Sequence, residues 1–269
     1  MDSWMFGLVD NAFVIFLTLG IAAVVAGVVL SARQERKRQA LYTAFAANHG
    51  LTYQPKVDDE MYKQFGNDSP FGRGHSRSAT HVLSGTLNGA PVLGFTYIYK
   101  ETTSSGKSSS TTTYRWQICA LWLPTALPTM SIEDEGIFGG RLADALGFDD
   151  VALESDEFNH KFRYQAADDR YGSALMPNRM MELMLAGQTG VTRINGRILY
   201  NAMSQRPQPE DITARWDFLA AVAALIPAWV LKDYGSDDHL RWPCPRHASG
   251  CCTRPFRGHP YRYAGCYCM

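Results

Sequence analysis

Between Asn11 and Ala32 the chain reads NAFVIFLTLGIAAVVAGVVLSA, 22 residues without a charge. At 1.5 Å per residue a helix of that length reaches about 33 Å, enough to cross a hydrocarbon core about 30 Å thick. Gly20 and Gly27 interrupt it at little cost, since small residues are common in membrane helices. A cleavable signal peptide would want a basic leader, yet the first ten residues carry only Asp2, Asp10 and the terminal amine. The stretch therefore reads as a single membrane anchor over residues 11–32.

Orientation follows from the next six residues, RQERKR. Arg33, Arg36, Lys37 and Arg38 flank the anchor on its C-terminal side, and no Lys or Arg flanks the other. The positive-inside rule then places the N-terminus outside and the main domain in the cytoplasm of a single-pass protein. The same four side chains are candidates for contact with anionic lipid heads. A cytoplasmic location keeps thiols reduced, which argues against a disulfide framework.

The expected organisation is an anchor at 1–32, a basic juxtamembrane helix at 33–50, an α+β domain at 51–235 and a Cys/Arg-rich tail at 236–269. The juxtamembrane helix stops at Gly50, and LTYQP follows as a short strand, with one or two helical turns in DDEMYKQF. Residues 65–79 are Gly- and Ser-rich and read as a loop. HVLSGTLNGAPVLGFTYIYK predicts a hairpin turning at Asn88-Gly89, and the next strand runs from Tyr114 to Pro124. ETTSSGKSSSTTT, between them, reads as a polar, solvated extension of the hairpin arms.

GGRLADALGF predicts a helix near 139–148. FNHKFRYQA predicts a strand whose Phe158, His160, Phe162 and Tyr164 share one face. MPNRMMELMLAG is punctuated as a helix, and GVTRINGRILYNA predicts a second hairpin at Asn195-Gly196. In the last element Pro209, Glu210 and Asp211 start a helix with an apolar face at Ile212, Trp216, Leu219, Ala223 and Ile226. Phe218 to Leu231 is uncharged but too short to span comfortably and is interrupted by Pro227, which favours a buried or interfacial helix. The sum is an α+β class built on antiparallel hairpins with packed helices. A pleckstrin-homology-like sandwich is the alternative, although helices between the two hairpins count against it.

The run GRLADALGFDDVALESDEFNHKFRYQAADDRYGSALMPNRMMELML, with HVLSGTLNGAPVLGFTYIY before it and FLAAVAALIPAWV after, resembles bacterial membrane-anchored families of unknown function. Their pattern has a membrane helix, a glycine-centred hairpin, an acidic F-N-x-x-F strand and a short helix with Met-Glu. The resemblance covers about residues 10–232 by element order and punctuation. It implies a bacterial membrane protein and carries no catalytic motif to transfer.

No motif for a chemical step is present. SSGKSSS lacks the glycine a phosphate loop needs at position 101, which is glutamate, and FGRGHS offers only Gly72 and Gly74. Asp149, Asp150, Glu154, Asp156 and Glu157 read as a solvated loop, because carboxylate chemistry needs groups converging in a cleft. His160 reads as a half-buried core residue, His75 and His81 as isolated, Cys119 as a small buried hydrophobe, and Met180, Met181 and Met184 as core filling. No residue is assigned a catalytic, cofactor-binding or metal-binding role.

The tail holds Cys244, His247, Cys251, Cys252, His259, Cys266 and Cys268. Zinc sites want close ligand pairs with a regular spacer, and this spacing is irregular. After Leu240 there is no Leu, Ile, Val, Asp, Glu, Lys, Asn or Gln, so nothing there can build a core. The tail reads as disordered or non-designed, of the kind out-of-frame translation yields, with a metal or redox module and a basic-aromatic contact surface as alternatives.

Its five arginines after Asp238 also set the overall charge. The 26 basic residues less those five leave 21, against 26 acids, so residues 1–240 are mildly acidic. That argues against broad nucleic-acid binding, which needs clustered Lys and Arg. The function expected is a non-enzymatic, membrane-tethered cytoplasmic module that binds a protein partner or the inner leaflet. An enzyme using His160 and the acids between Asp149 and Glu157, or a metal protein using the tail, is the alternative.

Overall fold

The computed structural model describes residues 3–57, 60–87, 89–106, 108–134, 153–187, 190–204 and 209–236, with side chains of the first helix from Phe16 onward. The predicted helix at 139–148, Asp149, Asp150 and the whole Cys/Arg-rich tail lie outside the described residues.

The chain divides into two compact units between Phe45 and Ala46. The first is carried by α1 (Ser3–His49), one continuous helix where the sequence suggests an anchor followed by a separate short helix. The apolar run and the basic segment contain no proline, and the first residue to break the helical conformation is Gly50 at φ 64°. Within it Phe16–His49 holds a window long and apolar enough to cross a membrane, none of it buried. Phe16 is 75% exposed and Val24 67%. Side chains so apolar and so uncovered call for a hydrocarbon surround.

The second unit is α+β, as expected. Among its described residues six strands form one antiparallel sheet: β1 (Thr52–Val57), β2 (His75–Leu87), β3 (Ala90–Ser105), β4 (Ser108–Asp134), β5 (Phe162–Ala166) and β6 (Val191–Met203). β2 and β3 close at Leu87↔Ala90 around Asn88-Gly89, with Gly89 at φ 83°, the left-handed conformation that two-residue hairpin turns require. β2 starts at His75, inside the segment read as a loop, since it pairs Lys100 from its first residue. The Ser/Thr extension is a regular two-stranded ribbon paired out to Ser105↔Ser108.

β4 runs ten residues past Pro124, through Pro128, to Asp134. The prolines fall where pairing with β6 loses its register, between Trp122↔Ile198 and Met130↔Ile194. A residue without an N–H is tolerated at such an irregularity. β6 bends opposite them at Gly196, φ 58°. Along a straight strand residues ten apart lie about 33 Å from each other. Here the Asn201 carboxamide instead donates to the Val191 carbonyl at 3.3 Å and the Thr192 hydroxyl at 3.0 Å.

Asn195-Gly196 therefore turns the chain back, as the hairpin reading expects, but the two arms of β6 pair with the two arms of β4 rather than with each other. Arg197, next to the bend, donates to the carbonyls of Leu123 (3.3 Å) and Pro124. Ser236 joins Ala126 through paired backbone bonds of 3.1 and 2.9 Å. Carbonyls and N–H groups that the interrupted ladder would leave unpaired thus find partners.

Helices connect the strands or follow the last of them: α2 (Glu60–Lys63), α3 (Asp156–Lys161), α4 (Asp169–Leu175), α5 (Asn178–Gly187), α6 (Pro209–Leu225) and α7 (Ala228–Asp233). α3 corrects the F-N-x-x-F strand. Ser155 caps it by accepting from the Phe158 N–H at 3.3 Å, and Asp156 and Glu157 occupy its first turn. A capping serine followed by two acids starts a helix, and the strand begins only at Phe162.

Candidate functional site

The alternation of β3, β4 and β6 sorts their side chains onto two faces. One face is a ring cluster. Phe95 and Tyr97 of β3, Trp116 and Ile118 of β4 and Tyr200 of β6 pack against Phe65 and Phe71 from the α2–β2 connection. Phe71 lies 4.9 Å from Phe65 and from Tyr97 between ring centres, and 5.8 Å from Tyr200. The Tyr97 hydroxyl donates to the Phe71 carbonyl at 3.1 Å. Arg193, 1% exposed, ties the connection to the sheet through Asp68 at 2.7 Å and Glu133 at 3.1 Å.

The opposite face carries three cross-strand rows: Val92–Leu121–Leu199, Gly94–Cys119–Asn201 and Thr96–Gln117–Met203. α6 lies over it with Ile212, Trp216, Leu219 and Val222 inward, so Val222 rather than Ala223 completes the buried stripe. Trp216 docks on Gly94. A Cβ there would stand 3.0 Å from the indole, and the indole N–H donates to the Leu93 carbonyl at 3.2 Å. Beside that seat a cleft of about 370 Å³ opens, floored by Gln117, Cys119, Asn201 and Met203 and walled by Asp211, Arg215 and Phe218 of α6.

The cleft floor is polar yet buried. Gln117 is 4% exposed and Asn201 1%. The Thr96 hydroxyl donates to Gln117 Oε1 at 3.3 Å, and Gln117 Nε2 donates to the Ile118 carbonyl at 3.4 Å. Burial pushes the Cys119 thiol up to about 12, so it stays protonated and unreactive at neutral pH. Desolvation lowers the Arg215 pKa, opposed by the thiol, Asp211 and Asp134. Burial raises Asp134, whose carboxylate accepts the Gly190 N–H at 2.7 Å. The set offers carboxamide donors and acceptors, a guanidinium and a carboxylate, but no activated nucleophile paired with a base. Its chemistry is that of holding a polar group.

The residues singled out from sequence do not meet there. His160 stands exposed on α3, not half-buried on a strand, because the helix turns it outward. Glu154, Asp156 and Glu157 are exposed. His75, also exposed, faces the Ser76 and Thr102 hydroxyls at 3.0 Å each. His81, 4% exposed, sits at a register shift of β2 with φ 51° and meets the Tyr53 hydroxyl at 2.9 Å. Cys119 is buried as expected and Met180, Met181 and Met184 fill core space.

No described group of His, Cys, Asp or Glu is arranged to hold a metal. Arg33, Arg36 and Lys37 are exposed and Arg38 is half-buried. Gln117, Asn201, Asp211 and Arg215 escaped the sequence reading. The one signal for Gln117 and Asn201 is a polar residue in an otherwise apolar strand, and Asp211 and Arg215 read as ordinary charges of α6, which no motif records.

No family model matches the chain, and no curated protein matches it. Among solved structures it resembles the crystal structure of the mycobacterial trehalose monomycolate transport factor A, TtfA, with a TM-score of 0.51 at 13% identity. The likeness covers 73% of this chain and 96% of that one. At such identity it is a likeness of fold.

Proposed function

We propose that this chain is a membrane-tethered, non-catalytic module whose cytoplasmic α+β domain holds a protein partner at the inner leaflet. The observation that carries the reading is α1. An apolar window with none of its residues buried continues without a break into Arg33, Arg36 and Lys37, which stand exposed at helical spacing. An anchor with a one-sided basic collar retains the downstream domain on the cytoplasmic side, next to anionic lipid heads.

The organisation that goes with it is an anchor at 1–32, a collar at 33–50, a binding domain at 51–235 and a tail at 236–269. The neighbour of similar fold is named as a transport factor, which is consistent with a membrane-associated interaction module here. The polar cleft under α6 is the candidate contact for a side chain or small polar group of that partner.

Protease protection in spheroplasts and inverted vesicles tests the tether. The domain should be cut only in inverted vesicles. Replacing Arg33, Arg36, Lys37 and Arg38 together by glutamine should yield mixed orientation. Proximity labelling from the domain tests the partner: reproducible recovery of one membrane protein supports the reading, and lipid-only neighbours across replicates overturn it.

A further inference from the structure

Among the described residues after Ala46, Trp229 is the one large apolar side chain that stands exposed, at 48%. It is displayed on a fixed support. Pro227 ends the run of α6 and opens α7, whose Val230 and Leu231 N–H groups bond to the Pro227 carbonyl at 2.9 and 3.3 Å. Val230, fully buried, pins the short helix inward. The Tyr234 ring sits 6.5 Å from the indole on one side, itself 5.0 Å from buried Tyr171, and Ser236 is stitched to Ala126 just beyond.

The surroundings are equally apolar. Phe218 to Leu231 carries no charge, and Ala224 and Ala228 are exposed beside half-exposed Leu225 and Leu231. A surface helix of a domain bathed in water on all sides turns a polar face outward. This elbow turns alanines and a tryptophan outward, with Lys232 and Asp233 at its end.

We propose that the α6–α7 elbow seats Trp229 in the membrane–water interface. The inference rests on the tether reading, because it is the anchor of the same chain that holds a bilayer within reach. Tryptophan suits that boundary: its ring enters the acyl–headgroup region while its N–H stays hydrated. Lys232 reaches headgroup phosphates along an apolar stem. Asp233 offsets that charge, so seating depends on the indole and varies little with lipid charge, unlike contact through the arginine collar.

The test uses the full chain, labelled with 5-fluorotryptophan, in nanodiscs of phosphatidylcholine with and without phosphatidylglycerol. Trp229→Phe identifies the Trp229 fluorine resonance, and buried Trp116 and Trp216 serve as references. A nitroxide carried on the lipid should erase the Trp229 signal in both lipid mixtures while the references persist. A Trp229 signal untouched by the lipid nitroxide but erased by a water-borne relaxation agent overturns the proposal. A signal protected from both also overturns it, in favour of a protein contact. Carbonate extraction of Trp229→Phe separates this from the tether: protein that stays in the membrane leaves the anchor intact whatever the resonance does.

Discussion

The two faces of the central sheet are built from the same strands and obey opposite rules. On one, Phe65, Phe71, Phe95, Tyr97 and Tyr200 pack ring against ring, with neighbouring centres 4.9 to 6.4 Å apart. On the other, Gly94 seats Trp216, and beside that seat Gln117, Cys119, Asn201 and Met203 floor a cleft under α6 that includes groups able to hydrogen-bond. Burial on the first face turns directly into stability, at roughly 25 cal/mol per Å² of apolar area. On the second, part of that stability is given up for polar groups and free volume. The difference teaches where to look for binding: in the face that is less well filled than the strands allow.

The largest test breaks the ring cluster. Phe71→Ala should lower the unfolding free energy of the full chain by about 3–5 kcal/mol, as expected for deletion of a buried aromatic ring. A denaturant midpoint series would measure it. A loss near zero would mean that the connection carrying Phe71 is not part of the folded core.

Next comes the charge that ties this face together. Arg193→Met should cost about 3 kcal/mol, the low end for removing one partner of a buried ion pair. Asp68 and Glu133 side chains are 21% and 16% exposed and regain some water. Restoring stability by also replacing Asp68 with Asn and Glu133 with Gln would assign the cost to stranded carboxylates rather than to lost packing.

Alkaline pH probes both faces at once. Burial raises Tyr200 to about 12 on the aromatic face and Cys119 to about 12 on the cleft face, and it raises Tyr164 and Tyr171 as well. In the unfolded chain these groups ionise near their ordinary values of about 9 to 10. Their neutral forms are favoured by the fold, so their contribution is complete below about pH 9 and is lost as pH rises toward about 12. Thermal midpoints between about pH 6 and 8 should not change on account of these groups and should fall steadily above about pH 9.

The smallest expected effect is the most informative about the cleft. Gln117→Leu alone strands the Thr96 hydroxyl and should cost about 1–2 kcal/mol, whereas Thr96→Val with Gln117→Leu should be close to neutral. A neutral double variant that also loses the partner found by proximity labelling would separate a binding role from a structural one. A double variant costing more than the single would make the polar row part of the scaffold.

Much of this molecule is legible in its sequence because the signals are local. An uncharged run of membrane length, a one-sided basic cluster, Asn88-Gly89 between alternating strands and Pro209 ahead of two acids each act through a few neighbouring residues. They located the apolar helix, the first hairpin and α6. The clearest contrast is the repeated Asn-Gly pair. At Asn88-Gly89 the arms find each other. At Asn195-Gly196 they find the two arms of β4, because the irregular segment of β4 around Pro124 and Pro128 bends with them.

What only the tertiary structure decided is which side chains meet across strands distant in sequence. Gln117, Asn201 and Arg215 come together because β4 pairs with β6 in one register and Gly94 lets Trp216 settle α6 at one height. A register shift of one residue would send each of the strand-borne polar groups to the opposite face. Local sequence sets the backbone's preferences, but the partners of a side chain are chosen by long-range pairing and packing.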